Sequence, residues 1–250
     1  MTRVPRASGA VAGLALTWWH FSDWLSLSTE LSAHADSVFP ISAADGMGFY
    51  DSRILPHLVH LSMRQEALTA YRRRITSAAE GDVLEIGIGS GLNLPLYGDR
   101  VRQLFGIDPS PTLLSRARRT AAHGARSVSL IEGSAEAIAL EDDSIDTVVT
   151  TWTLCTIPNV RVALGEMRRV LRSSGRLLFV EHGRSPDASV RRWQDRLTPV
   201  WKRVGGGCHL NRPIRDLIEG AGFCVDHLQT GYMKGPKPMT FMYEGSAGSM

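Results

Sequence analysis

Paired cysteines, strong net charge and long apolar runs are all missing from this 250-residue sequence. Its three cysteines, Cys155, Cys208 and Cys224, are widely spaced and odd in number, with no CxxC pair among them. That pattern offers neither zinc-ligand spacing nor a disulfide framework, so no metal is expected and the thiols read as reduced side chains of a cytoplasmic protein. A net charge of +3 falls short of the strongly basic face that nucleic acid demands, and no nucleic-acid partner is expected. No internal repeat or low-complexity tract interrupts the chain.

With 43% hydrophobic and 21% charged residues, the composition is that of an ordinary globular protein with one good-sized core. The N-terminal part stands apart. Arg3 and Arg6 precede an apolar stretch from Gly9 to Trp19, and Ala33-His34-Ala35 resembles a signal-peptidase site. The gap between them is too long for a signal peptide, and the stretch is shorter than the roughly 20 residues that cross a bilayer. Residues 1–46 are expected to be a poorly ordered or accessory extension. It reads as a tail, as an interfacial anchor using Trp18, Trp19 and Trp24, or as an artefact of an early start codon with Met47 as initiator. The domain proper is expected over residues 47–250, with 62–182 as its cofactor-binding core and 183–250 as substrate-side elements.

Within the domain, helix and strand signals alternate. Ser62 to Ala79 has Met63, Ala67, Ala70 and Tyr71 at helical spacing. Val83 to Ile86 is a short apolar run ending in glycines, the profile of a buried parallel strand. Strands over 104–107, 128–132, 145–150 and 176–181 follow, with helices over 111–122 and 160–171 between them. This spacing predicts an α/β, doubly wound, mostly parallel sheet with helices on both faces, and ligands at the C-terminal edges of its strands. Beyond Glu181, helices are predicted over 188–204 and 213–221 and strands over 223–228 and 239–243, while the Gly-Ser-rich run 245–249 is expected to fray.

Gly87, Gly89 and Gly91 follow the first strand, where missing Cβ atoms permit tight turning and close approach of a ligand. The dinucleotide fingerprint G-x-G-x-x-G/A fails, because Leu92 or Leu94 falls at its last position. No Gly-Lys-Ser/Thr follows, so the P-loop pattern fails as well. Glu85 ends the strand with an acid, which suits a cationic ligand better than a pyrophosphate. Asp108 ends the second strand about where related sheets grip ribose hydroxyls.

The stretch Glu85-Ile86-Gly87-Ile88-Gly89-Ser90-Gly91 resembles the E/D-x-G-x-G-x-G loop of class I S-adenosylmethionine-dependent methyltransferases. Glu132-Gly133-Ser134-Ala135-Glu136 resembles their adenine-binding turn, Asp146 to Leu154 their fourth-strand motif, and Leu171 to Leu177 their L-R-P-G-G-x-L segment. The likeness covers about Ser62 to Glu181. It implies a seven-stranded Rossmann-like sheet and S-adenosylmethionine as cofactor. The implied cofactor residues are Glu85, Gly87, Gly89, Gly91 and Asn93 in and after the loop, Asp108 and Pro109 after the second strand, Ser134, Ala135 and Glu136 after the third, and Thr151 and Trp152 after the fourth.

Gly91-Leu92-Asn93-Leu94-Pro95-Leu96-Tyr97 is similar to two groups, the bacterial phosphatidylethanolamine N-methyltransferases and the membrane-associated alkyl thiol methyltransferases of the methyltransferase-like 7 group. The C-terminal third, with Val180-Glu181-His182, Pro199-Val200-Trp201-Lys202 and Gly207-Cys208 followed by Arg212, is more like the second. Methyl transfer is an in-line displacement at a sulfonium, so alignment and exclusion of water carry most of the acceleration. His182, beyond strand five, and His209, beside Cys208, are the candidate base or acceptor-orienting groups. A covalent role for Cys208 is not required. Trp152 and Trp201 are candidates to wall an apolar acceptor pocket. The resemblance implies a small-molecule or lipid acceptor, with a hydrophobic thiol ahead of phosphatidylethanolamine; a non-catalytic cofactor-binding or membrane-associated scaffold is a third reading. Arg191 to Arg203 fits either a solvated face or peripheral membrane contact.

Overall fold

A computed structural model describes residue 48, residues 50–124 and residues 126–249. The expected extension over residues 1–46, with its tryptophans, lies outside these. A π-helical turn, Tyr50–Ile54, leads into helix α1 (Leu55–Ser62) and then α2 (Glu66–Ala78). One continuous helix was the expectation from the periodicity; the chain instead breaks at Gln65, whose ψ of 137° is extended. There follow β1 (Gly81–Ile86), β2 (Val101–Asp108), α3 (Pro111–Ala122), β3 (Val128–Glu132), β4 (Ile145–Thr151) and α4 (Val160–Val170). The last part comprises β5 (Leu171–His182), α5 (Ala188–Val204), α6 (Ile214–Glu219), β6 (Phe223–Tyr232), the short α7 (Lys237–Thr240) and β7 (Phe241–Ser249).

The strands form one seven-stranded sheet in the order β3-β2-β1-β4-β5-β7-β6. The first five pair in parallel, and β7 runs antiparallel between β5 and β6. Strand order reverses between β1 and β4, and that crevice is where open α/β sheets bind ligands.

Alternate residues of the central strands feed two cores, as the two-residue period of a strand requires. Leu84, Val148, Leu177 and Phe179 pack with Leu164 and Met167 of α4 and Ile214 and Ile218 of α6. Val83, Val149, Leu178 and Val180 face the other way, toward Ile75 of α2. Helix α4 earns its place through Val160, Ala163, Leu164, Met167 and Val170, a buried stripe at helical spacing. Helix α3 starts on Ser110, whose hydroxyl accepts the Leu113 N–H at 3.3 Å, with Pro111 in its first turn.

The Gly-Ser-rich run 245–249 is not frayed: it pairs with β5 and with β6. A Cβ at Gly245 would meet the His227 carbonyl oxygen at 2.2 Å and Phe179 Cζ at 2.9 Å. Small residues there are a packing requirement rather than a sign of disorder. On α5, Arg192, Arg196, Lys202 and Arg203 are exposed. No helix among the described residues is long and apolar enough to cross a membrane.

Leu164 is fully buried between α4 and the sheet. Leu164→Ala is expected to lower unfolding free energy by about 2–5 kcal/mol in urea denaturation; a loss under about 1 kcal/mol would show that this core readily collapses around the void.

Candidate active site

A cavity of about 360 Å³ opens at the C-terminal edges of β1, β2 and β4. Its floor is the glycine loop, and each glycine answers a different constraint. Gly87, Gly89 and Gly91 have φ of +68°, +55° and +78°, where only glycine is unstrained. A Cβ on Gly87 would strike Thr153 at 2.4 Å, and one on Gly91 would press on Leu94 at 2.8 Å and the Ala117 backbone at 3.2 Å. Gly89 faces open space, and its N–H donates to Asp108 Oδ2 at 2.9 Å. The loop is thus pinned to β4 on one side, to α3 on the other, and to the end of β2 at its tip.

Glu85 lies beneath this loop and is buried. Asn93 Nδ2 donates to its Oε1 at 2.8 Å and the Tyr97 hydroxyl to its Oε2 at 2.9 Å. Burial pushes the Glu85 carboxyl up to about 7, against the pull of Tyr97, Arg72 and Asn93. Arg72 donates to Asn93 Oδ1 at 2.9 Å and Thr151 Oγ1 at 3.4 Å, which extends the network across to β4. Its Nε is buried without a partner, although the residue lines the cavity.

Asp108, on the adjacent strand end, accepts the Ser110 N–H on Oδ1 at 2.9 Å as well as the Gly89 N–H on Oδ2. Burial raises this carboxyl, and the two N–H groups restrain the rise. Each oxygen keeps a lone pair for a hydroxyl donor. Pro109, Ser134 and Ala135 line the cavity beyond it, with Leu113, Ile157 and Pro158 as apolar walls.

Trp152 begins the loop after β4 with φ of +52°, a left-handed conformation that a bulky residue adopts only under tertiary constraint. The Arg72 guanidinium lies 4.9 Å from its ring centroid, and Tyr71 meets it edge-on at 6.3 Å. Its N–H donates to the Val180 carbonyl at 2.9 Å, which fixes the turn to β5. Thr151 and Trp152 both face the cavity.

Other predicted residues stand elsewhere. Gly91 packs against α3, and Asn93 is wholly buried in the Glu85 network. Glu136 accepts the Asn159 N–H and the Ser134 hydroxyl rather than lining the cavity. His182 and His209 do not line it either. His182 Nε2 lies 3.1 Å from Cys208 Sγ in a buried cluster with Cys155, and His209 is fastened through its N–H to the Cys155 carbonyl at 2.9 Å. In that cluster the Cys208 thiol is held well below its ordinary value by its hydrogen bond with Cys155 and by His182, and Cys155 is pushed up.

The histidine of the cavity is His60, on α1. Its Nδ1 lies 2.7 Å from Ser90 Oγ. Burial, then Arg116, Arg64 and His57, push its pKa down, which favours the neutral ring. Leu55, Pro56, Val59 and Met63 extend an apolar wall around it. The wall reaches the triple glycine after α5, where a Cβ on Gly206 would touch Leu55 at 2.9 Å. No local pattern signals Arg72 or His60, because both lie on helices whose polar residues read as solvent-facing.

The donor set fits S-adenosylmethionine. Arg72, with a free N–H, would take the carboxylate; Asp108 would take the ribose hydroxyls; and the slot of Leu113, Ala135, Ile157 and Pro158 would take the purine.

Residues 84–179 match a family profile described as a methyltransferase domain. Thiol S-methyltransferase TMT1B of Rattus norvegicus is 32% identical over 172 residues, covering 67% of this chain and 70% of that protein. Phosphatidylethanolamine N-methyltransferase of Cereibacter sphaeroides is 38% identical over 116 residues, covering 44% of this chain and 57% of that one. A solved S-adenosylmethionine-dependent methyltransferase of Methanosarcina mazei shares the fold, with a TM-score of 0.58 at 20% identity over 70% of this chain and 95% of that one.

If Asp108 grips the ribose, Asp108→Ala should raise the Kd for S-adenosylmethionine at least about tenfold, since a hydrogen bond to a charged group contributes roughly 1.5–3 kcal/mol. Calorimetry on the folded variant reads this directly, and an unchanged Kd would remove Asp108 from the contact. The sequence relatives, the 3-2-1-4-5-7-6 sheet and a cavity floored by this glycine loop agree, and the chain belongs to the class I S-adenosylmethionine-dependent methyltransferases.

Proposed function

We propose that this enzyme methylates a small hydrophobic acceptor, and that the acceptor is a thiol. The observation that carries the reading is His60, a neutral imidazole on an apolar wall of the same cavity that holds the glycine loop. S-adenosylmethionine, when bound, supplies an electrophilic methyl on a sulfonium. The chain's own residues do the rest. Leu55, Pro56, Val59 and Met63 would keep water from the acceptor. In the tautomer whose Nδ1–H donates to Ser90 Oγ, His60 Nε2 keeps its lone pair and would receive the acceptor's proton. Trp152, locked by Arg72 and Tyr71, would hold the acceptor in line.

An alkyl thiol suits this arrangement because it is apolar and needs only one proton removed to become the reactive thiolate. The identity to rat TMT1B supports the same choice. Phosphatidylethanolamine is the second reading, supported by the Cereibacter sphaeroides relative, which matches over a shorter stretch. Purified protein given S-adenosylmethionine with a short alkyl thiol in one tube and phosphatidylethanolamine vesicles in another separates them by mass spectrometry of the products. Methylated thiol is expected; methylated lipid with untouched thiol would overturn the preference.

The role of His60 has its own pH signature. A base with a lowered pKa stays competent down to that pKa, whereas without it the rate must follow the ionisation of the thiol itself. His60→Ala is therefore expected to reduce kcat/KM for an alkyl thiol by roughly 100-fold at pH 7 and by much less at about pH 10, where an alkyl thiol, less acidic than cysteine at ~8.5, begins to ionise by itself. A deficit that is the same at both pH values would remove the proton-accepting role.

A further inference from the structure

Three donor side chains meet on the far side of the loop that follows β4. Cys155, His182 and Cys208 each offer a ligand atom, and these atoms all lie within 4.8 Å of one another. They arrive from three separate places: the loop after β4, the end of β5, and the turn after the triple glycine. All three are buried, at 2%, 9% and 8% exposure. No other such group of three occurs among the described residues.

The site is built rather than incidental. Arg212 holds the loop bearing Cys155 through the carbonyls of Leu154 and, at 2.7 Å, Ile157. The Glu181 carboxylate accepts the Thr153 N–H at 3.0 Å, and the His209 N–H donates to the Cys155 carbonyl. His182 is fixed by pairing with Met242 across β5 and β7, and its Nδ1 is buried without a hydrogen-bond partner. None of the three side chains lines the methyl-transfer cavity, so that chemistry leaves the cluster unexplained.

We propose that Cys155, His182 and Cys208 bind a borderline-soft divalent cation, with zinc the best fit. Two thiolates and an imidazole are a donor set that selects such ions over magnesium or calcium. In a tetrahedral zinc site, bonds of about 2.3 Å to sulfur and 2.0–2.1 Å to nitrogen place neighbouring donors roughly 3.4–3.8 Å apart. The His182–Cys208 separation of 3.1 Å and the 4.8 Å limit on the other pairs bracket that spacing. Binding releases to solvent the protons that the two cysteines and the imidazole share and leaves a neutral Zn(S⁻)₂ unit. Three protein donors leave a fourth position for water or an exogenous thiolate.

Cobalt(II) alone, titrated anaerobically into reduced, untagged full-length protein, tests this without S-adenosylmethionine or an acceptor, so it stands apart from the reading of function. One equivalent is expected to give a thiolate-to-cobalt charge-transfer band and the intense visible bands of tetrahedral cobalt, both erased by zinc chloride. Cys224→Ser, which removes the exposed cysteine, should leave the spectrum unchanged. Cys155→Ser and Cys208→Ser should each cut the charge-transfer intensity, and His182→Ala should weaken binding at least about tenfold. Far-UV circular dichroism reports whether each variant is folded. The absence of a thiolate band in folded wild-type protein would overturn the proposal. So would the same band in folded Cys208→Ser, or a Cys155–Cys208 disulfide that persists in dithiothreitol.

Discussion

A carboxylate buried at the end of β1 must be paired or neutralised, and the pairing of Glu85 organises the whole cofactor end of the domain. Asn93 and Tyr97 satisfy its two oxygens and so fold the segment after the glycine loop back beneath it. Arg72 joins through Asn93 and Thr151, which ties α2 to the end of β4. The same guanidinium rests on Trp152. One internal ion network therefore sets the loop, the helix before it and the tryptophan across from it. The cofactor's charged end would meet the outer edge of that network rather than Glu85 alone.

A second buried carboxylate does similar service one strand away. Glu181 is raised to about 7 by burial and accepts hydrogen bonds from Thr150 and Thr153. Together with Arg212 it clamps the loop from Trp152 to Ile157 from behind. That loop has two faces. Trp152, Thr153 and Thr156 look into the methyl-transfer cavity, and Cys155 turns away to meet His182 and Cys208. Held from behind by Glu181 and Arg212 and internally by the Thr153 and Thr156 hydroxyls, the loop presents side chains on both sides.

The roof of the cavity is made differently. Helix α1 brings His60 and its apolar neighbours over the glycine loop, and Leu55 docks where Gly206 leaves room. This wall is held by apolar contact and a few hydrogen bonds, among them Tyr50 hydroxyl to the Val204 carbonyl at 2.6 Å. The floor of the cavity is held by buried polar pairing, while the wall made by α1 is shaped by packing.

The parallel strands and the glycine loop were legible in the residue order, because each depends on short-range pattern, and so was the placing of Asp108 at the end of β2. Strands β1 to β5 follow from apolar runs of the right length, and Gly87, Gly89 and Asp108 are forced by backbone geometry at adjacent strand ends. Where the sequence misled, the determinant was long-range. Glycines 245 and 248 read as a frayed tail until β5 and β6 closed around them. His182 and His209 follow β5 and the triple glycine, yet His182 turns to Cys208 and Cys155, His209 is fastened to the Cys155 carbonyl, and the histidine that lines the cavity is His60 on α1. Cys155, His182 and Cys208 are separated by 27 and 26 residues, and no spacing rule joins them. Which side chains share a cavity depends on how separate strand ends and loops pack in space, not on their order along the chain.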